Sequence, residues 1–498
     1  MMQFSETSLH QITPLMSNPA MNKNQISSSR AWPGFPTSSK ALGSFGDANG
    51  MEQLLLHCAD AIESNDATLA QQILWVLNNI ATPDGDSNQR LTCAFLRALV
   101  ACAAQRGTCK MITAAMANAY TTFSFSPHRF SIIELAAYVD LTPWHRFGFT
   151  AANAAILNAV EGFSAVHIID LSSTHCMQIP TLIDAIANRP EGPPLIRLTV
   201  AGVAGAAGAD EAVPPLLDLS YEELGSRLVN FARSRNVTME FQVIPSSSSN
   251  GFSSLIDHLR IEHLVYDDNE ALVINCHMML HCIPEQINIS PNLCPPPPSS
   301  PPRTVFLEGV RSLEPRIMVV VDEDVDFTSN NLMGRLRAAY NYMWIPYDTV
   351  ETFPGRGRKQ RQWYEADVGW KIENVVAQGG WRRVERQEPR QRWVERMTGA
   401  GFGSLGFGEE GVSEVKSMLD EHAAGWGLKK EEDDLVLTWK GHNVVFATAW
   451  KICPVTQNEQ LSAPSPCFRL TFQHSALNLS LSLSPVLLCL YLLWGRTC

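Results

Sequence analysis

From Leu54 the apolar positions recur at intervals of three and four, through Leu55, Cys58, Ala59 and Ile62, then through Leu69, Ile73, Leu74, Leu77 and Ile80. This spacing predicts a pair of amphipathic helices, and Thr82-Pro83-Asp84-Gly85 supplies the turn that ends it. The same period returns over Leu91–Gln105, Met111–Tyr120 and Ser131–Val139, so residues 51–145 read as an all-helical cap. Its leucines suit the core of a bundle better than a surface stripe that pairs with another chain. Residues 1–50 are rich in Ser, Asn, Pro and Gly with few periodic apolar positions. Such a composition cannot offset the entropy of ordering and predicts a flexible leader.

After one more helix over Phe147–Val160 the period changes. Val166–Asp170 is a short apolar run suited to a buried strand, with a helix over Gln178–Asn188 behind it. Further strands are predicted over Leu195–Val200, Thr238–Ile244, Ala271–Cys276 and Arg316–Asp322, separated by helices over Tyr221–Arg233, Phe252–Leu259 and Arg303–Leu313. Parallel neighbours need crossover connections, so strands alternating with helices imply a parallel sheet covered on both faces. Leu435–Trp439 and Val444–Trp450 flank Lys440-Gly441-His442-Asn443, which has the composition of a hairpin turn.

A Rossmann-like parallel sheet closed by an antiparallel hairpin resembles the class I methyltransferase fold. The expected fold class is therefore α/β, with the helical cap over 51–145 and the α/β core over 146–451. Residues 327–378 read as a mostly helical insertion that folds back onto the cap. Ser246–Asn250 is a polar linker, and Cys294–Pro302 reads as an extended surface segment, because proline neither continues a helix nor joins a central strand.

With 498 residues, 45% of them hydrophobic and 18% charged, the chain has enough apolar surface for a large core. Its formal net charge of -12 repels a phosphate backbone, so nucleic-acid contact requires a local basic patch or a partner. The 12 cysteines are scattered and form no C-x-x-C pair, the pattern of reduced thiols in a nuclear or cytosolic protein. The first residues lack the basic start, apolar stretch and cleavage site of a secretion signal. Val486–Trp494 is apolar but far shorter than the roughly 20 residues that span a bilayer, and extending it back to Leu477 meets Ser480, Ser482, Ser484 and Pro485. No membrane is expected, and a membrane-tethered regulator is the weaker alternative.

A methyltransferase of this layout needs a glycine-rich turn after its first strand and an acidic residue at the end of the second. After Asp170 the chain instead reads Leu171-Ser172-Ser173-Thr174-His175-Cys176-Met177, and the second strand runs into Ala201-Gly202. An active S-adenosylmethionine-dependent methyltransferase is thus the disfavoured alternative, and no catalytic residue, cofactor or metal is expected. His277 and His281, beside Cys276 and Cys282, have the spacing of two ligands on a helix, but hydrogen-bonded histidines after a strand are the better reading. Asp170 is expected to cap the next helix or to bond loop amides. The most basic stretch, with Arg356, Arg358, Lys359 and Arg361 ahead of Trp363 and Tyr364, is the candidate nucleic-acid contact. A second run through Arg382, Arg383, Arg386, Arg390, Arg392 and Arg396 is interleaved with Glu385, Glu388 and Glu395, which predicts ion pairing.

Val166-His167-Ile168-Ile169-Asp170 reproduces letter for letter the VHIID motif of the plant GRAS proteins, and Met177-Gln178, Arg189-Pro190 and Gly192-Pro193-Pro194 resemble its continuation. Asn275-Cys276 with Leu280-His281 is similar to the stretch that opens the family's PFYRE region, whose letters are only partly present. Arg383-Val384-Glu385-Arg386 matches the RVER element. Trp393 with Gly401, Leu437-Thr438-Trp439 and Phe446–Trp450, ending on Trp450, match the SAW region.

The resemblance covers residues 51–451, and the segment Trp344–Phe353 with the turn Trp439–His442 is most similar to a scarecrow-like subgroup. It implies a nuclear regulator of transcription whose leucine-rich helices flanking VHIID serve in protein association. Its implied partners are other transcription factors or GRAS proteins, with direct DNA binding and a homodimer left open. Residues 452–498 run past the point where the family pattern stops, with a serine- and leucine-rich composition that reads as translation of an unspliced intron.

Overall fold

The computed structural model describes residues 48–107, 127–202, 213–263, 270–285, 300–352 and 358–453. Residues 1–47 of the predicted leader, the Met111–Tyr120 helix, Cys294–Ser299, Arg356 and the tail with Val486–Trp494 lie outside them, whereas residues 48–50 of that leader are helical, so the first helix begins three residues earlier than the predicted boundary.

The first apolar intervals become α1 (Ala48–Glu63), α2 (Ala67–Ile80) and α3 (Ser87–Arg106). α2 and α3 each start on a local cap. Asp66 accepts the Leu69 amide at 3.0 Å. Asp86 and Gln89 form a reciprocal capping box, and Gly107 ends α3 in the left-handed region. Next come β1 (Arg129–Phe130), α4 (Ile132–Val139) and α5 (Pro143–Ala159). Ser131 and Glu134 make a second capping box for α4. Thr142 caps α5, and Pro143 sits in its first turn, where its missing N–H loses nothing.

The central elements follow as β2 (Ala165–Ser172), α6 (Ile179–Ala187), β3 (Leu195–Gly202), β4 (Leu216–Leu217), α7 (Tyr221–Ser234), β5 (Met239–Pro245), α8 (Ser253–His263), β6 (Glu270–His277), α9 (Pro302–Arg311) and β7 (Ile317–Glu323). Pro302 corrects the sequence reading. It does not extend the surface segment but opens α9, buried at the one helical position that tolerates proline. The chain closes through α10 (Leu332–Glu351), α11 (Arg358–Ala377), α12 (Arg390–Gly399), β8 (Phe402–Leu405), α13 (Glu409–Asp420), β9 (Trp426–Glu431), β10 (Asp434–Trp439) and β11 (His442–Ile452).

The large sheet runs β5-β3-β2-β6-β7-β11-β10-β9, with β8 paired on β11. Its first five strands are mutually parallel, whereas β11 is antiparallel to β7 and to β10. The fold is therefore α/β with a mixed sheet. The hairpin loop is tighter than its four-residue signature suggested. Only Lys440 and Gly441 lie between the strands, both at positive φ, the conformation that matches strand twist in a two-residue connection.

β2 lies inside the sheet, in register with β3 on one side and β6 on the other, so that Ile168 faces Leu198 and Val273. Alternate side chains enter different cores. Val166 and Ile168 join the large cluster shared with the helices, and Ile169 and Leu171 join a second cluster with Phe252, Phe306 and Trp393. A strand buried on both faces needs a continuous apolar run, which is why it reads without alternation. α5 presses against this sheet at Gly148, where an added Cβ would lie 2.6 Å from both His277 and Val321. α10 and α11 pack on α1 and α3.

Replacing Ile168 with aspartate places an unpaired carboxylate between two parallel neighbours and under a helix layer. The expected penalty, about 4–5 kcal/mol or more, is comparable with the whole stability margin of a domain. Ile168→Asp should therefore be recovered insoluble or without a cooperative thermal transition. A variant melting cooperatively near the wild-type temperature would refute the placement of Ile168 in the central strand.

Candidate functional site

Open α/β sheets hold their ligands over the carboxyl ends of the parallel strands. Here that edge is occupied by the chain's own polar side chains. Asp170, the last residue of VHIID, is buried, with Oδ1 accepting from Asn275 Nδ2 at 2.7 Å and Oδ2 from the Ser172 hydroxyl at 2.6 Å. Asp170 thus does not cap α6, because both of its oxygens are taken by side chains. Burial pushes its carboxyl above the usual range, against the opposing bonds from Ser172, Asn275 and Cys176. Asn275 also donates to Gln178 at 3.0 Å, and Gln178 donates to Asn153 on α5 at 3.0 Å. The chain of bonds ties β2 and β6 to the helices above them.

The loop after β2 turns through the left-handed region at His175 and Cys176, φ 50° and 61°, where glycine would be the unstrained choice. The side chains that replace glycine close the space. His175 Nε2 lies 2.9 Å from the Pro215 carbonyl, which can only accept, so Nε2 carries the proton and Nδ1 accepts from Tyr221 at 3.3 Å. Burial lowers the His175 pKa, consistent with a neutral ring.

A second cluster lies under the ends of β6 and β7. His281 Nδ1 is 2.8 Å from Asp322, and its Nε2 is 3.5 Å from Glu385. Lys371 on α11 reaches Glu323 at 2.7 Å and Glu385 at 3.5 Å, and Gln387 donates to Glu323 at 3.0 Å. Burial opposes the charge on both cations. For His281, Asp322 outweighs it and holds the pKa well above the ordinary value, and for Lys371, Glu323 and Glu385 do the same. Both face a cavity of about 70 Å³, also lined by Tyr138, His145 and Asp367. Burial pushes Asp367 up to about 8, so it is neutral when its neighbours are charged.

The paired-histidine reading separates into two environments. His277 ends β6 and lies 3.2 Å from His145, with burial pulling His145 down to about 3 and His277 well below its ordinary value. His281 instead sits in a short 3-10 turn, Leu280–Cys282, among carboxylates. The two rings do not share a helical face. Among the described residues no group of three or more His, Cys, Asp or Glu is placed to hold a metal ion.

The remaining motif residues serve packing and bonding. His167 bonds Thr199 on β3 at 2.9 Å. Arg383 donates to the Ser329 carbonyl at 3.0 Å, and the Val384 and Glu385 amides both donate to Asn374 Oδ1. Trp393, Leu437, Trp439 and Trp450 are buried. Trp439 donates to Asp348 on α10 at 2.7 Å, and Trp450 to Thr448 at 2.8 Å. Gly401, at φ 85°, lies where a Cβ would meet the Arg311 guanidinium at 2.7 Å.

Arg358 opens α11. Lys359 lies 3.5 Å from Glu134 and 4.8 Å over the Trp363 ring, and Arg361 is 3.9 Å from Glu365. Sequence reasoning missed Arg303, a buried clamp whose guanidinium donates to the carbonyls of His281, Ile283 and Arg386 and pairs with Glu388 at 3.1 Å. Its only signal was an arginine just after a proline-rich segment.

Glu385 is the shared carboxylate of the second cluster. Glu385→Ala leaves Lys371 and His281 short of a carboxylate partner, at an expected cost of about 3–5 kcal/mol. Its denaturant midpoint should fall well below that of Glu385→Gln, which keeps the shape and a hydrogen-bond acceptor. Equal midpoints for the wild type and both variants would show that the cluster contributes nothing to stability.

The GRAS domain family model matches residues 51–451. The chain is 59% identical over 424 residues to Scarecrow-like protein 32 of Arabidopsis thaliana, an alignment covering 84% of this chain and 97% of that one. It is 30% identical over 419 residues to Protein SHORT-ROOT of the same plant, covering 81% of this chain and 74% of the relative. The crystal structure of SCL7 in Oryza sativa superposes with a TM-score of 0.60 at 20% identity, covering 80% of this chain and 99% of that one. No helix among the described residues is long and apolar enough to cross a membrane. A match along the whole helical and α/β region, with relatives similar over most of their length, places this chain in the GRAS domain family of plant transcription regulators.

Proposed function

We propose that this chain works in the nucleus as a co-regulator recruited through protein contacts, on a class I methyltransferase-like core that takes no cofactor. The strand order supports that likeness, with five parallel strands followed by an antiparallel pair inserted beside β7. The observation that carries the non-enzymatic reading is a crevice largely filled by the chain's own side chains, with a cavity of only about 70 Å³ left at the strand ends. Asp170 is engaged by Ser172 and Asn275, and His175 and Tyr221 bond each other over the strand ends where a nucleotide would lie. The net charge of -12 favours protein partners over autonomous contact with duplex DNA.

The proposed division of labour is a flexible leader over 1–50, a helical cap over 51–145 and an α/β core over 146–451 with the insertion 327–378. Residues 452–498 are assigned no role. Partners would be other transcription factors or GRAS proteins, and a homodimer would form through the leucine-rich helices. A second reading, direct DNA contact, is favoured by one observation. Lys359 is exposed and lies 4.8 Å over the Trp363 ring at the start of α11.

The test is binding of the purified full chain to labelled S-adenosylmethionine and, across a salt series, to a pool of random duplex DNA. Neither should be retained at physiological salt. Saturable cofactor binding would overturn the filled-crevice argument, and sequence-selective DNA retention would replace the co-regulator reading with the second one.

Should duplex be held at low salt, alanine at Arg356, Arg358, Lys359 and Arg361 together should lower the logarithmic salt slope by about one for each phosphate contact removed. Unchanged low-salt affinity in that variant would take the contact away from α11.

A further inference from the structure

The basic run after α11 divides sharply by partner. Arg390 pairs with Asp434 at 2.7 Å and Glu431 at 3.0 Å, Arg392 with Asp326 at 3.2 Å, and Arg396 with Glu388 at 2.6 Å and Glu285 at 2.8 Å. Arg382, Arg383 and Arg386 form no ion pair with any carboxylate among the described residues, although acidic residues outnumber basic ones by 50 to 38 along the chain. Arg386 curls back to donate to the Gly380 carbonyl, and Arg383 donates to the Ser329 carbonyl, so among the described residues their hydrogen-bond partners are carbonyl oxygens. After burial, the charge of Arg386 is the next cause holding the Arg383 pKa below its ordinary value, which places the two guanidiniums close enough to repel.

Beside them stands Trp381, 62% exposed on the 3-10 turn Gly380–Arg382, with the Arg382 guanidinium 5.3 Å over its ring. Leaving a large aromatic in water forgoes the stabilisation its burial would give. Exposed tryptophan and arginine are the residue types that carry most binding energy at protein interfaces.

Resting on the co-regulator reading, we infer that Trp381, Arg382, Arg383 and Arg386 form a docking surface for an acidic segment of a partner protein, one that offers carboxylates beside an apolar side chain. Charge complementarity selects that occupant. Unpaired guanidiniums recognise carboxylates through two parallel hydrogen bonds, and the tryptophan face covers an apolar neighbour. The patch is confined to one turn and its immediate flank, a footprint matched to a short peptide. A duplex would need cations arrayed along its backbone, on a chain whose net charge of -12 repels it.

The probe is a fluorescein-labelled synthetic peptide of alternating glutamate and leucine, titrated with the full chain. A peptide with glutamine in place of glutamate and a labelled single-stranded oligonucleotide serve as comparisons. Wild type should bind the glutamate peptide, more weakly as salt rises, and bind the glutamine peptide at least about tenfold more weakly.

Trp381→Ser and Arg382→Glu should each weaken binding by about thirtyfold with unchanged melting temperature, since both side chains are exposed. Lys416→Glu, an exposed charge reversal on α13, should leave it unaltered. Equal affinity for the two peptides, no effect of either variant, or tighter oligonucleotide binding that the same variants abolish would each overturn the inference. The cofactor and duplex assays do not depend on Trp381, so the co-regulator reading and this surface fail separately.

Discussion

A half-buried lysine and a buried histidine are stabilised only where carboxylates meet them, and that requirement joins several parts of this molecule. Lys371 comes from α11, Asp322 and Glu323 from the end of β7, His281 from the turn after β6, and Glu385 from the segment leading to α12. Satisfying all five groups demands that the helical pair α10–α11, the sheet and the RVER segment arrive together, since removing one partner strands the others. Apolar packing alone would tolerate sliding of α11 across the sheet. Ion pairs of 2.7–3.5 Å do not. Arg303 repeats the logic one layer away, where three carbonyls and Glu388 share one buried guanidinium.

The same bonding engages residues of the kinds that carry chemistry elsewhere. Asp170, His281 and Glu385 are the residue types of acid–base sites, yet both Asp170 oxygens, His281 Nδ1 and the Glu385 carboxylate are engaged by neighbours. The turn after β2 runs through the left-handed region at His175 and Cys176, where glycine would be unstrained, and carries two side chains there instead.

The elements legible in the sequence were those whose burial is one-sided or complete. β2 announced itself as an unbroken apolar run because both faces are covered, and α2 as a three-and-four repeat because one face is. β9, Trp-Gly-Leu-Lys-Lys-Glu, was not legible, because an edge strand paired on one side needs no apolar alternation. Asp170 was located correctly but given the wrong partner. Its bond to Asn275 joins residues 105 positions apart, and no local pattern encodes that distance. Arg303 and Lys371 were missed for the same reason, since their carboxylates come from remote segments.

The arginines after α11 carry the same physics to the surface. Arg390, Arg392 and Arg396 follow the rule of the interior, a carboxylate for each cation. Arg382, Arg383 and Arg386 break it within the same short run, beside a tryptophan left largely in water. Exposure alone does not account for the difference, because the Arg392 side chain is 41% exposed and is paired. An acidic chain has carboxylates to spare, so cations left without them mark a place where the complementary charge belongs to another molecule.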